Sequence, residues 1–573
     1  MFSAKEMLIK YWGHTHFRPM QYEIIQSILA GKDTLALLPT NGGKSICFQI
    51  PSLMQDGICI VISPLIALMK DQVQYLKSKG IKSLTLTSGL FKDEVFVALN
   101  NCIYGNYKFL YISPERLKDK LIQEKIKHMN VNLIAVDEAH CISEWGFDFR
   151  PSYLHIAKIR DIIPDVPILA LTATATSDII DDIQKKLLFK GKHLLRSSFV
   201  RDNLSYVVIN QENKKLKLLK ILKHFLNSAI VYTNTRKETK DVTQFLRKNN
   251  ISSDYYHGGL DISEREQKQE KWSKNQIRVM VATNAFGMGI DKKNVRVVIH
   301  MSTPSSLETY FQEAGRAGRD NKLAYAIMLT KKSDIINLKY LVKSQFPSVE
   351  EIRDCYQNIA NYYHIAIDTS VGKSFEFDIN NFCDRYKIQT YKTYYILKYL
   401  EKEEYIKLTD AFHSPSKIHF IIHNNELYSF QVANEHFDPL IKLILRSYSG
   451  IFENYVTINE LTLSKRLNTN SSQIVSYLEK LQQLNILKYI PETNSPRIIF
   501  TKNRIDASSI HISKDSLEKR KQTKMRKINT VVDYINNTDD CRTKQLLKYF
   551  GEQSNYRCNK CDVCIERNKL NNI

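Results

Sequence analysis

The chain has 573 residues, more than one hydrophobic core serves, so three or four domains are expected. With 43% hydrophobic and 25% charged residues it reads as globular rather than disordered, and its most apolar run, "GICIVISPLIALM", is too short for a bilayer and is broken by Pro64. A formal charge of +22 attracts polyanions and makes nucleic acid the first partner to expect, although a Lys-, Asn- and Ile-rich coding bias is the plainer source of such a surplus.

The N-terminal "MFSAKEMLIKYW" lacks the apolar core of a signal peptide, so a cytoplasmic chain without membrane contact is expected. Short apolar runs then alternate with amphipathic stretches over about 330 residues, the signature of an α/β fold. "DTLALLP", "ICIVIS", "FLYIS", "LIAVDEAH" and "ILALTAT" read as buried strands with polar carboxyl ends, where ligands gather in parallel sheets. The pattern restarts with "LSYVVI", "AIVYTNT", "SDYYHGG", "RVMVATNAFG" and "VRVVIHM", predicting two lobes with a cleft between them.

Between the first strand and a helix lies "LLPTNGGKS", in which Thr40, Asn41, Gly42 and Gly43 form a loop ahead of Lys44 and Ser45. Loop N–H groups and a helix N-terminus cradle phosphates, Lys44 can reach the β/γ-phosphates of ATP, and Ser45 can ligate Mg²⁺. The strict glycine pattern fails, since Leu38 takes the first Gly position and Asn41 sits where such loops usually keep a glycine. Asn tolerates positive φ, so the turn can survive, and a working ATP site is expected. "VDEAH" supports it: Asp137 suits Mg²⁺, and Glu138 suits polarising the attacking water; the plainer alternative is a solvated acidic turn. In "YFQEAGRAGRD", Gln312, Arg316 and Arg319 are spaced to face one surface, where arginines can stabilise a transferring phosphoryl group from across a cleft, or else simply line an exposed helix.

After about residue 340 two stretches, "FDINNFCDRYKIQTYKTYYILKYLEKEEYIKL" and "VTINELTLSKRLNTNSSQIVSYLEKLQQLNILKYI", share helix–turn–helix spacing with a β-like end. Both fit winged-helix units, which either grip a duplex or only pack. The tail brings Cys541, Cys558, Cys561 and Cys564 together; C-x₂-C-x₂-C plus one upstream thiolate can close a tetrahedral Zn²⁺ site, with an iron–sulfur cluster as the rival. Six further cysteines are scattered, which argues against a disulfide framework.

Taken together, these motifs resemble the RecQ family of superfamily 2 DNA helicases. "HFRPMQYEII" is similar to that family's adenine-reading motif, which implies base contacts by Arg18 and Gln21 and stacking by His14. "DEAHCISEWGFDFRPSY" contains an aromatic-rich loop that, in this family, couples single-strand binding to ATP hydrolysis; its matching residues are Ser143, Trp145, Phe149 and Arg150. Exposed aromatics also offer stacking surfaces for unpaired bases, worth about 1–3 kcal/mol per base. Phe147 departs from the His of many relatives, a change expected to weaken that coupling.

The resemblance implies two RecA-like lobes, an ATP-binding lobe at 1–198 and a helicase C-terminal lobe at 199–340, then a winged-helix region at 341–507 and a zinc-binding module at 508–573. It further implies ATP, Mg²⁺ and Zn²⁺ as cofactors, single-stranded and duplex DNA as partners, 3′-to-5′ movement, and work in recombination and repair beside single-strand-binding and recombination proteins. In the commonest family order the zinc module directly follows the second lobe; here the winged-helix-like stretches intervene. An RNA-stimulated translocase, or a DNA-binding scaffold with a defective ATP site, are the alternatives.

Overall fold

The computed structural model describes residues 3–571 except 40–41, 87–91, 147–148, 288–289, 291, 410–415, 423, 449, 453–454 and 492–495. The chain divides into two compact units: residues 1–341 together with 519–573, and residues 342–518.

The first unit holds two parallel sheets. Strands β1 (Thr34–Leu37), β2 (Ile58–Ile62), β3 (Ser83–Leu86), β4 (Phe109–Ile112), β5 (Val131–Val136), β6 (Ile168–Thr172) and β7 (Leu194–Arg196) pair in the order β3-β4-β2-β5-β6-β1-β7. Strands β8 (Leu204–Asn210), β9 (Ala229–Tyr232), β10 (Ser253–Tyr256), β11 (Val279–Ala282), β12 (Val297–His300) and β13 (Ala324–Thr330) pair in the order β10-β11-β9-β12-β13-β8. Every residue of β1, β2, β4 and β6 is buried, as in a parallel sheet covered by helices on both faces. These continuous apolar runs therefore carry strand identity without polar alternation. The carboxyl ends of β1, β5 and β6 lead into residues 42–45, 137–138 and 173–176.

From Lys519 the chain returns to the lobes, completing a long helix (Lys514–Asn536) and adding two short ones (Arg542–Tyr549 and Asp562–Asn571). Phe550 packs against Phe199 and Phe311, with ring centroids 5.3 and 5.0 Å away. The Glu552 carboxylate accepts from Ser198 Oγ (2.6 Å) and the Phe199 N–H (3.0 Å). Apolar burial and a charge-assisted pair thus fix the tail on the segment that joins the two sheets. Sequence distance from the second lobe does not become spatial distance.

The second unit contains two winged-helix layouts, one threaded into the other. Strands β14 (Ser374–Glu376), β15 (Ile406–Thr409) and β19 (Arg497–Phe500) form one antiparallel sheet; β16 (Lys417–Phe420), β17 (Val456–Thr457) and β18 (Leu487–Ile490) form another. Thr409 pairs with Arg497 at the end of the β15–β19 ladder, and the whole second layout is inserted there, at the tip of the first layout's wing. Each has its own helix–turn–helix: Ile379–Tyr386 with Thr390–Lys402, and Glu460–Arg466 with Ser471–Gln483. Asp378, Asn459 and Asn470 cap three of these helices, each accepting from a backbone N–H of the first turn. The inserted layout also has its own core, from Ile418 to Tyr489.

Candidate active site and metal centre

The loop after β1 is built around Gly43, whose φ of 70° favours glycine. A Cβ there would lie 2.4 Å from Gln21 Nε2. That amide donates to the carbonyls of Gly42 (3.2 Å) and Gly43 (3.0 Å), while Gln21 Oε1 accepts from the Arg18 N–H (2.9 Å). The segment implied to read adenine is thus tied directly to the loop backbone. Gln21 is buried, whereas His14 and Arg18 are exposed. Thr40 and Asn41 lie outside the described residues.

Lys44 and Ser45 follow, with Ser45 opening the helix Ile46–Met54. Lys44 Nζ lies 3.9 Å from Glu138 Oε1. Glu138 has a left-handed backbone (φ 48°, ψ 45°), unusual for a residue with a Cβ and worth about 1–3 kcal/mol of strain. Its other oxygen, Oε2, is 3.3 Å from His140 Nδ1, which in turn lies 2.9 Å from Thr172 Oγ1 at the end of β6. Burial alone would raise the Glu138 carboxyl, but Lys44, His140, Arg316 and Arg150 together hold it below its ordinary range. Burial, and then Glu138 beside it, push Asp137 up to about 6. A half-buried carboxylate raised in this way fits a divalent cation, and Ser45 and Asp137 are the residues that would hold Mg²⁺.

Gln312 and Arg316 are buried, Gln312 on the helix Leu307–Ala314 and Arg316 just beyond it. Arg316 Nη1 donates to Gly287 O and Arg319 Nη1 to Ile290 O. The structure therefore joins the loop, the acidic pair and Arg316 in one electrostatic cluster drawn from both sheets.

The aromatic loop divides. Trp145 is 39% exposed and offers a stacking face. Phe149 is half-buried, with Lys186 Nζ 5.9 Å from its ring centre. Arg150 Nη1 donates to Pro64 O (3.2 Å) and adds its charge to those lowering Glu138. Ser143, expected from the sequence to serve nucleic acid, is fully buried, and its Oγ accepts from the Trp145 N–H (3.3 Å), so it shapes the loop from beneath. Phe147 lies outside the described residues. His140 and Thr172 bear on Glu138 without having been singled out by spacing; their signal was the last letter of "DEAH" and the polar end of "ILALT".

In the tail, the sulfurs of Cys541, Cys558, Cys561 and Cys564 lie within 4.8 Å of one another, and all four residues are buried. The N–H groups of Cys558, Cys561 and Cys564 donate to Sγ of Cys541 (3.3 Å), Cys558 (3.3 Å) and Cys561 (3.4 Å). Backbone donors aimed at sulfur favour thiolates, and four thiolates around one point fit a closed Zn²⁺ site. Arg542, also buried, holds Asp562 through Nε (3.1 Å) and Nη2 (2.8 Å) and so locks the flanking helices.

Family models match these regions in order: DEAD/DEAH box helicase at 18–183, helicase conserved C-terminal domain at 213–321, the Bacteroidota RecQ helicase winged-helix domain at 418–491, and RecQ zinc-binding at 500–565. The probable ATP-dependent DNA helicase RecS of Bacillus subtilis (strain 168) is 40% identical over 361 residues, 62% of this chain and 72% of that protein. The chain belongs to the RecQ family. The ATP-dependent DNA helicase RecQ of the same organism is 41% identical over 366 residues, 63% of this chain. The match spans only 62% of that RecQ protein's length. A solved structure of the DUF1998 helicase MrfA bound to DNA shares the fold, with a TM-score of 0.50 at 18% identity over 71% of this chain and 61% of that one. The RecQ zinc-binding match decides the metal at the cysteine cluster in favour of zinc over an iron–sulfur cluster. Among the described residues no helix is long and apolar enough to cross a membrane.

Proposed function

We propose that the protein is an ATP-dependent DNA helicase that moves 3′ to 5′ on one strand and separates duplex DNA in recombination and repair. On this reading residues 1–198 are the ATP-binding lobe, 199–340 the C-terminal lobe, 341–507 the winged-helix region and 508–573 the zinc-binding module. The observation that carries it is the site around Glu138: its backbone is strained, Lys44 Nζ lies 3.9 Å from its carboxylate, and the charges of His140 and Arg150 from the first lobe and of Arg316 from the second bear on it as well. A site assembled from both lobes links phosphate chemistry to their relative motion.

Gly42, Gly43 and Lys44 hold the phosphates of ATP, with Thr40 and Asn41 completing the loop. His14, Arg18 and Gln21 serve the base. Mg²⁺ on Ser45 and Asp137 would neutralise phosphate charge. Glu138 orients the attacking water, Gln312 lines the cleft, and Arg316 and Arg319 stabilise charge on the transferring phosphoryl group. Trp145 and Phe149 stack on unpaired bases, with Ser143 beneath the loop. Arg150, bonded on one side to Pro64 O and acting on Glu138 from the other, carries the signal from strand to site. Relatives about 40% identical and named DNA helicases support DNA as the substrate. Single-strand-binding and recombination proteins as partners, and a cytoplasmic location, accord with that substrate.

The test is steady-state ATP hydrolysis with single-stranded DNA and with RNA of equal length. DNA is expected to stimulate far more, and Glu138→Gln to lower kcat by about 10²–10⁴-fold. Equal or greater stimulation by RNA would overturn the DNA assignment.

A further inference from the structure

The long tail helix reaches the aromatic loop through one buried side chain. Lys527 Nζ donates to the backbone carbonyl of Trp145 (2.6 Å) and lies 3.2 Å from Glu308 Oε1. The Lys527 side chain is 10% exposed and that of Glu308 not at all. Glu308 sits in the first turn of the helix Leu307–Ala314, which Ser306 caps and which leads directly into Arg316 and Arg319. Lys527, Glu308, Trp145, Thr176, Thr530 and Tyr549 line a cavity of about 170 Å³. One ammonium group from the zinc-binding module therefore joins the loop of the first lobe to the arginine-bearing helix of the second.

We infer that Lys527 is a positioning residue, a latch that transmits the state of the aromatic loop to the arginine helix. The inference rests on the proposed reading of the loop as the single-strand sensor. An ammonium group is suited to this, because its three donors serve a carbonyl and a carboxylate from different lobes at once. A carboxylate as buried as Glu308 is held in place by the cation that compensates it. Movement of Trp145 when a strand binds then pulls on Lys527, and through Glu308 on the helix that carries Arg316. Burial lowers the neighbouring Lys524, and so does the charge of Lys527, while Glu308 opposes both; two cations thus crowd a single anion. Burial, and then the negative charge of Glu308, raise the Tyr549 hydroxyl.

The test compares Lys527→Met, Lys527→Arg, Trp145→Ala and the double change Lys527→Met with Glu308→Gln in the full-length, zinc-loaded protein. The double change removes both charges, so it leaves no uncompensated carboxylate if Lys527→Met alone melts. The latch predicts that DNA-free kcat and the KM for ATP stay at wild-type values in the double variant. It also predicts that DNA-stimulated kcat falls about tenfold, the size of a typical coupling between sites, while the DNA concentration for half-maximal stimulation changes less than about twofold. Lys527→Arg should recover most of the stimulation. Stimulation within about twofold of wild type in the double variant, with Trp145→Ala abolishing it, overturns the latch and leaves the sensor reading standing. Full stimulation in Trp145→Ala overturns both. A fall in DNA-free kcat equal to the fall in stimulated kcat assigns Lys527 a merely structural role and also overturns the latch.

Discussion

The residues closest to the chemistry are also those under most local constraint. Glu138 keeps a left-handed backbone despite its side chain, and Gly43 keeps one because it has none. At Gly43 a Cβ costs about 1–2 kcal/mol in backbone energy. It would also strike Gln21 Nε2, which must then release the two carbonyls it holds. Gly43→Ala is therefore expected to raise the KM for ATP by about tenfold, corresponding to about 1.4 kcal/mol, with the fold intact by circular dichroism. An unchanged KM would show that nucleotide binding does not depend on this turn. Lys44, Asp137, Glu138 and the four cysteines were legible in the sequence, because phosphate loops, acidic pairs and metal clusters are short-range patterns. The use of the Gln21 amide on loop carbonyls and the His140–Thr172 contact were not, because each depends on a partner brought close only by the fold, and neither was the burial of Ser143, because spacing does not set depth.

At the scale of elements, ten strands were readable as buried apolar runs. The strands β3 and β7 were passed over; both lie at sheet edges, where short, partly exposed segments carry little signal. The longer β13 followed the arginine motif with no ligand-bearing end to mark it. The threading of one winged-helix layout into the other was invisible for a different reason. Helix–turn–helix spacing is local, whereas the pairing of Thr409 with Arg497 spans the entire inserted layout. That pairing leaves the two strands side by side, so replacing residues 410–496 by Asn-Gly should close an ordinary hairpin. The shortened protein is expected to keep wild-type kcat for single-strand-stimulated ATP hydrolysis, and residues 416–491 alone should melt cooperatively on their own core. Loss of hydrolysis in a folded shortened protein would show that the inserted layout is needed for the chemistry.

Over the whole molecule, charge is distributed as unevenly as function. Of the 82 Lys and Arg and 60 Asp and Glu, residues 342–491 hold 16 and 17, leaving 66 against 43 elsewhere. The polyanion-attracting surplus therefore belongs to the lobes and the tail. Each phosphate contact contributes about −0.7 to the slope of log K against log salt for a single strand. The shortened protein should show the same slope as the full chain in fluorescence-anisotropy titrations, and a slope shallower by about 0.7 or more would place phosphate contacts on the excised residues. The docking of Phe550 against Phe199 and Phe311 has a consequence in time. A ribosome completes both lobe-side rings long before the ring that covers them, with about 240 residues still to add after Phe311. At about 5–20 residues per second that is roughly 10–50 s of elongation with an apolar face open to solvent. A chain released early keeps that face exposed for good, so truncated products are marked for chaperones and proteases by their own surface.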